Sequence, residues 1–275
     1  MSKIAIDSAK VLDHGEIALL DFMGSDSSIV DAARISYSGD SKPKTKDVDL
    51  LRFLMRNQHM TPFEMPELQW YVKAPIFVFR QWHRHRTASI NEVSGRYSEL
   101  PDEKYRPAEM RMQAKDNKQG SSAGRLMYSV QSFDKSQTEY QALLNMGVAN
   151  EMARIVLPVA TYSEMYWKCD LRNTLHFLGL RLDPHAQYEI RVYAEAMAKI
   201  IKLHFPLTFQ AFEDYHLNAV TFTGPEIAIM NGTHGLTDKS EWPLSRREIQ
   251  EFRRKLLKVK GGYSADGLLR AIKGE

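Results

Sequence analysis

Across residues 67–73 the chain alternates, with Leu68, Trp70 and Val72 on one side and Glu67, Gln69, Tyr71 and Lys73 on the other. A period of two sends successive side chains to opposite faces of an extended strand, so one face here is buried and the other stays polar. The fold must therefore contain a sheet beside whatever helices the rest of the chain supplies. Pro75 follows at a place that a first helical turn tolerates, and residues 76–83 read as a helix. Gln81 and Arg84 would share one face of it, while His85 and Arg86 turn to another.

The flanking pattern is mixed. Residues 15–22 have the apolar density of a strand, and Asp26 or Ser27 opens a short helix through Ile29, Ala32 and Ala33; residues 47–55 repeat that pattern. Residues 101–124 are polar and poor in large aliphatics, which predicts a surface loop. Helices are expected over 126–146 and 149–157, separated near Gly147 and stopped by Pro158. Residues 161–168 are aromatic and strand-like. Asp170 is an N-cap for a helix through Leu180, which places Arg172 and His176 four apart on one face. Asp183-Pro184 is expected to open a helix with apolar positions Ile190, Tyr193, Ala194, Met197, Ile200 and Ile201, ending before Pro206. Ser245-Arg246-Arg247-Glu248 is a capping box that opens a basic helix to about Lys260.

A chain of 275 residues suffices for one large domain or two small ones. Without a repeat or a Gly/Ser linker, one mixed domain is the economical reading. No apolar run approaches the roughly 18 residues that span a bilayer, and the first residues lack a secretory h-region, so a cytoplasmic protein with no membrane partner is expected. Cys169 is the single cysteine, which permits no disulfide and no thiolate zinc site within one chain. His83 and His85 lie two apart without a partnering Cys or carboxylate pattern, so no metal site is expected. With 37 basic and 34 acidic residues, the charge excess is too small to argue for nucleic acid.

The arginines matter by where they cluster. Residues 84–97 combine Arg84, Arg86 and Arg96 with His85, Asn91, Glu92, Ser94 and Gly95. Guanidiniums are permanently charged forks suited to phosphates and electron-rich rings, and Ser, Asn and backbone amides beside a Gly complete an anion cradle. A solvated basic face would not interleave those polar groups, so the segment reads as a nucleotide site. Ser94 lacks the adjacent base and oxyanion hole of a nucleophile and reads as a phosphate or pyrimidine ligand.

Taken as Arg84-His85-Arg86, two residues, Ser89, four residues, Ser94, one residue, Arg96, this segment resembles the signature of the flavin-dependent thymidylate synthases, the ThyX family. Further matches include Ala33-Arg34-Ile35-Ser36, His59-Met60-Thr61-Pro62-Phe63-Glu64, Arg80-Gln81-Trp82, Ala153-Arg154, Leu171-Arg172, His176-Phe177-Leu178, Leu180-Arg181 and His185-Ala186-Gln187. They run from about residue 15 to about 215, which sets a family domain at 1–218 and a C-terminal extension of unassigned role at 219–275. The fold expected is α/β of the mixed α+β kind, a single domain with a central, mostly antiparallel sheet packed by helices. The resemblance implies a homotetramer with active sites shared between subunits.

It also implies the ligands. Gln81, Trp82, His83, Arg84, Glu92, Val93, Ser94, Gly95, Arg96, Arg154 and Arg181 would hold dUMP. Ser36, His59, Thr61, Glu64, Arg84, His85, Arg86, Asn91, Glu92, Asp170, Arg172, His176 and His185 would line FAD. Asp170 departs from the asparagine of several relatives and, ionised, offers only acceptors. The implied reaction methylates dUMP to dTMP with methylenetetrahydrofolate as one-carbon donor and FADH2, regenerated by NADPH, as reductant, releasing tetrahydrofolate. Arg181 is the catalytic candidate, a fixed cation favouring the ionised pyrimidine. Cys169 is the alternative, since unrelated thymidylate synthases use a cysteine; its aromatic, strand-like setting reads instead as a small buried hydrophobe, and no covalent nucleophile is expected. Two other classes stay open: a nucleotide-binding regulator without turnover, and a nucleic-acid binder using the basic tail.

Overall fold

The computed structural model describes residues 5–36, 45–114, 121–128, 130–232 and 242–259. The chain forms two compact units, Met1–His216 and Leu217–Glu275. In the first, strands β1 (Asp7–Val11), β2 (Gly15–Met23), β3 (Glu67–Pro75), β4 (Ser89–Glu92), β5 (Met110–Gln113), β6 (Ser121–Leu126) and β7 (Tyr162–Asp170) alternate with helices α1 (Asp26–Arg34), α2 (Asp47–Arg56), α3 (Ile76–Trp82), α4 (Ser132–Asn145), α5 (Asn150–Ala153), α6 (Leu171–Arg181), α7 (Tyr188–His204) and α8 (Pro206–Phe212). The second holds α9 (Gly224–Met230) and α10 (Arg246–Lys258).

Five strands form one antiparallel sheet in the order β1-β2-β3-β7-β4. The period of two in β3 is used as read: Leu68, Trp70 and Val72 are fully buried, and the alternate positions are half-buried. Trp70 pairs with Trp167 and Leu68 with Cys169 across β3 and β7. Trp82, Trp167, Phe177 and Tyr193, from α3, β7, α6 and α7, meet there, with Trp82 4.5 Å from Phe177 and 5.6 Å from Trp167 between ring centroids. Burying four aromatic rings contributes on the order of several kcal/mol and fixes the backbone that flanks each one. Gly15 is demanded by close approach, since a Cβ there would lie 2.0 Å from the Tyr193 hydroxyl, which donates to the Lys73 carbonyl at 2.7 Å.

Several elements differ from the sequence expectation. Helix α3 ends at Trp82, and the His85 N–H donates to the Trp82 carbonyl at 2.9 Å, so Arg84 sits in a turn rather than on the helix face of Gln81. Part of the expected 101–124 loop is a two-stranded sheet of β5 and β6, and α4 consequently begins at Ser132 instead of 126. The expected helix at 149–157 is α5 followed by a 3-10 turn, Arg154–Val156. Helix α7 begins at Tyr188 because Asp183 closes a turn: its carboxylate accepts the His185 N–H at 2.7 Å, and its carbonyl accepts the Ala186 N–H at 2.8 Å.

Caps follow the sequence elsewhere. The Asp170 carboxylate accepts the Asn173 N–H at 2.7 Å and opens α6, and Ser245 with Glu248 forms the capping box of α10. The expected end of that helix near Lys260 lies outside the described residues. In the C-terminal unit Ile229, Trp242, Phe252 and Leu256 form a small core. Among the described residues no helix is long and apolar enough to cross a membrane.

Candidate functional site

The aromatic cluster positions the site. Trp82 precedes His83-Arg84-His85-Arg86 at the end of α3, and Phe177 follows His176 on α6, so packing their rings brings the polar residues beside them together near Trp167 of β7. Arg84, His85, Arg86, Thr87, Trp167, Asn173, His176, Leu180 and Arg181 line a cavity of about 250 Å³ there. No carboxylate is among those residues, so the electrostatic potential of the cavity favours an anion.

Arg181, in the last turn of α6, is held by two acceptors. Its Nε donates to His85 Nε2 at 3.1 Å, and its Nη2 donates to the Gln81 carbonyl at 3.1 Å. Arginine only donates, so His85 Nε2 must carry a free lone pair. Burial, then the Arg181 and His176 charges, push the His85 pKa down to about 4, which keeps the imidazole neutral and able to accept. Burial also lowers Arg181 from its ordinary value, but a guanidinium remains charged near neutrality. These two bonds fix the orientation of the guanidinium, whose Nη1 has no hydrogen-bond partner among the described residues.

The other expected residues fall into separate places. Glu92 closes β4, where the Ser163 hydroxyl donates to its Oε1 at 2.8 Å and His83 Nε2 lies 3.7 Å from Oε2. Val93 is exposed and its N–H pairs with the Glu164 carbonyl at 2.9 Å; Asn91 is exposed on β4. Ser94, Gly95 and Arg96 form the following turn, in which the Ser94 hydroxyl accepts the Arg96 N–H at 3.3 Å. Gly95 is buried, and a Cβ there would come within 3.0 Å of Leu100 Cδ1 and 3.2 Å of Arg154 Cδ. The missing side chain thus admits the Arg154 stem to the turn, where a ligand was expected. Arg96 pairs with Glu151 at 3.0 Å.

A third group lies between α6 and the 3-10 turn Thr61–Glu64, where Arg172 pairs with Glu64. Thr61 and His59 are exposed there, with the His59 ring edge-on to Phe53 at 5.6 Å. Both Asp170 oxygens accept from Asn173. Ser36 is exposed beyond α1. His185 stands apart on the Asp183 turn and lines a larger cavity of about 800 Å³ with Arg111, Gln187, Tyr188 and Glu189. Trp82 contributes a fully buried ring to the core and is not among the residues that line the cavity of about 250 Å³.

Asn173 and Thr87 line the smaller cavity without having been expected. Asn173 could have been found from spacing, because it precedes His176 by three on α6. Cys169 is 4 % exposed, its Sγ is 3.1 Å from Thr174 Oγ1, and burial pushes its thiol well above the ordinary range. Burial therefore disfavours the thiolate form at that position. Among the described residues no group of His, Cys, Asp and Glu is arranged to hold a metal ion.

The smaller cavity thus gathers arginines and histidines with no carboxylate among its lining residues. The family model of the thymidylate synthase complementing protein matches residues 18–207. A flavin-dependent thymidylate synthase of Thermus thermophilus is 50 % identical over 81 % of this chain and 84 % of its own length; one from Treponema denticola is 44 % identical over 90 % and 96 %. A crystal structure of a UMP/dUMP methylase PolB from Streptomyces cacaoi, bound with 5-Br dUMP, is similar with a TM-score of 0.64 and 33 % identity, covering 76 % of this chain and 98 % of that one. The chain belongs to the flavin-dependent thymidylate synthase family, a family of methyltransferase-type enzymes.

Proposed function

We propose that this chain methylates dUMP to dTMP, with methylenetetrahydrofolate as the one-carbon donor and NADPH as the source of reducing equivalents, and that tetrahydrofolate leaves. The observation that carries the reading is Arg181, fixed by a neutral His85 and the Gln81 carbonyl in a cavity free of carboxylates. The name shared by the curated relatives favours dUMP as the nucleotide.

The residues fit a flavin. Arg84 and Arg86 supply cations, and His85 and His176 imidazole rings, to the lining of one cavity, while Arg172 of α6 pairs with Glu64 of the 3-10 turn, which also carries Thr61 and is preceded by His59. A flavin held there would supply the reducing hydride of the methylation, with NADPH as the source of its electrons. Enclosing ligand sites commonly span about 300–1,000 Å³, so a cavity of about 250 Å³ covers only part of such a cofactor. That shortfall, with Ser36, His185 and the 92–96 turn outside the residues that line the cavity, supports active sites shared between the subunits of a homotetramer. We place the reaction in residues 1–218 of a cytoplasmic enzyme and assign 219–275 no part in it.

Arg181 would place its fixed charge against the pyrimidine and favour electron density on the ring, while Ser94, Arg96 and Arg154 take the phosphate. Gln81 and Glu92 would fix the ring in register with the flavin-binding wall. No side-chain nucleophile is used, in keeping with the burial that raises the Cys169 thiol above its ordinary range. The test is an absorbance spectrum of the purified chain: a flavin band, bleached anaerobically by NADPH and restored by dUMP with methylenetetrahydrofolate, is expected. A chain that takes up no flavin under any condition refutes the proposal.

A further inference from the structure

Beside the site lies a buried carboxylate that the reaction above does not use. Glu189, in the first turn of α7, is 2 % exposed; its Oε1 accepts from Arg111 Nη2 at 2.5 Å and the Tyr105 hydroxyl at 3.0 Å, and its Oε2 accepts from Gln187 Nε2 at 2.9 Å. Burial pushes the carboxyl up, but the hydrogen bonds from Arg111 and Gln187 outweigh it and hold Glu189 below the ordinary carboxylate range. An ionised carboxylate only accepts, so Gln187 must turn its NH2 group toward Glu189. Its carbonyl oxygen is then left for Gln81, whose Nε2 donates to it at 2.5 Å. Gln81 in turn accepts Arg181 on its backbone carbonyl at 3.1 Å. Amides are nearly symmetrical in shape and can turn over at little steric cost; here the order of donors and acceptors descends from one buried charge.

We propose that Glu189 is a positioning residue that, through Gln187, fixes the side-chain amide of Gln81 at the nucleotide site. One N–H of Gln81 is committed to Gln187, and its oxygen and second N–H meet the pyrimidine nucleotide in a single arrangement. This rests on the reading that Gln81 contacts dUMP. A Gln81 free to turn over would present a donor where an acceptor is needed for part of the time and leave a polar group unmatched.

Equilibrium dialysis of labelled dUMP against the flavin-loaded full chain tests it, with steady-state kinetics alongside. Glu189→Gln keeps its amide oxygen on Arg111, which only donates, and turns its NH2 toward Gln187, reversing the order of donors and acceptors along the relay; dUMP affinity should fall roughly 10-fold, the scale of one mismatched hydrogen bond, with KM rising more than kcat falls. Gln187→Leu, at an exposed position that leaves the Arg111 pair intact, should weaken dUMP similarly while flavin content and Tm stay near wild type. The double variant Glu189→Gln/Gln187→Glu restores the order, because a carboxylate at 187 accepts from both neighbours and Gln81 must again donate; affinity should recover most of the loss. Unchanged dUMP affinity in Gln187→Leu overturns the proposal, as does a folded, flavin-loaded double variant no better than Glu189→Gln. If the wild-type chain binds no dUMP at all, the functional reading beneath the proposal falls, and the relay with it.

Discussion

Glu189 and Glu226 are two buried carboxylates put to different uses. Each is nearly inaccessible, at 2 % and 3 %, each is held below the ordinary carboxylate range against the opposing effect of burial, and each faces one cation, Arg111 at 2.5 Å and Lys255 at 2.7 Å. Glu226 turns its remaining capacity on its own helix, accepting the Thr223 N–H at 2.7 Å in the capping box of α9, next to the small core of the C-terminal unit. Glu189 passes its remaining capacity outward, to Tyr105 and to the Gln187–Gln81 relay. Burial and an ion pair therefore do not mark a functional carboxylate. The group that takes up the leftover lone pairs does.

Predictions that sharpen or break this contrast begin at the cation the relay reaches. Arg181→Ala should lower dTMP formation about 100-fold or more, the scale of losing one preorganised electrostatic contact, with little change in Tm; near-normal turnover removes Arg181 from its role. Glu226→Ala should cost the C-terminal unit roughly 1–3 kcal/mol in denaturant unfolding, since Lys255 and the Thr223 N–H lose their acceptor. Its dUMP affinity should match wild type, and a fall there would erase the distinction between the two carboxylates.

A smaller effect concerns His85. Its folded pKa of about 4 lies below the ordinary 6.5, so as pH falls the unfolded chain takes up this proton first. The contribution to stability is present above about pH 6.5 and is lost progressively as pH falls toward 4. Proton NMR of the His85 ring should give a midpoint near 4, moving upward in Arg181→Ala but short of 6.5, because burial remains. A midpoint near 6.5 in the wild type would mean that His85 cannot serve as the neutral acceptor of Arg181.

The sequence made the central strand and the caps legible because their signals are local. Alternation in β3, the Asp170 cap and the Ser245 box each lie within a few residues. Strand β4 was not legible, since Ser89–Glu92 is a short, polar edge strand whose only apolar member, Ile90, is exposed. Asp183-Pro184 carries the residues of a helix start, yet the Asp183 carboxylate closes onto His185 and the helix waits until Tyr188. Within the site, Arg84, His85 and Arg86 were found from their density, and His176 with Arg181 from resemblance; the structure brings these five to one cavity. Glu189 escaped because its cation, Arg111, lies 78 residues away, on a strand inside the segment read as a loop.

The claim on which the account turns is that the flavin and a fixed cation suffice, with no thiol in the chemistry. Cys169→Ala tests it most directly: the variant, loaded with flavin and reduced anaerobically by NADPH, is mixed with dUMP and methylenetetrahydrofolate, and the flavin band is followed together with dTMP. Return of the band with an equal amount of dTMP is the predicted result. A folded, flavin-loaded variant that stays reduced and forms no dTMP contradicts it.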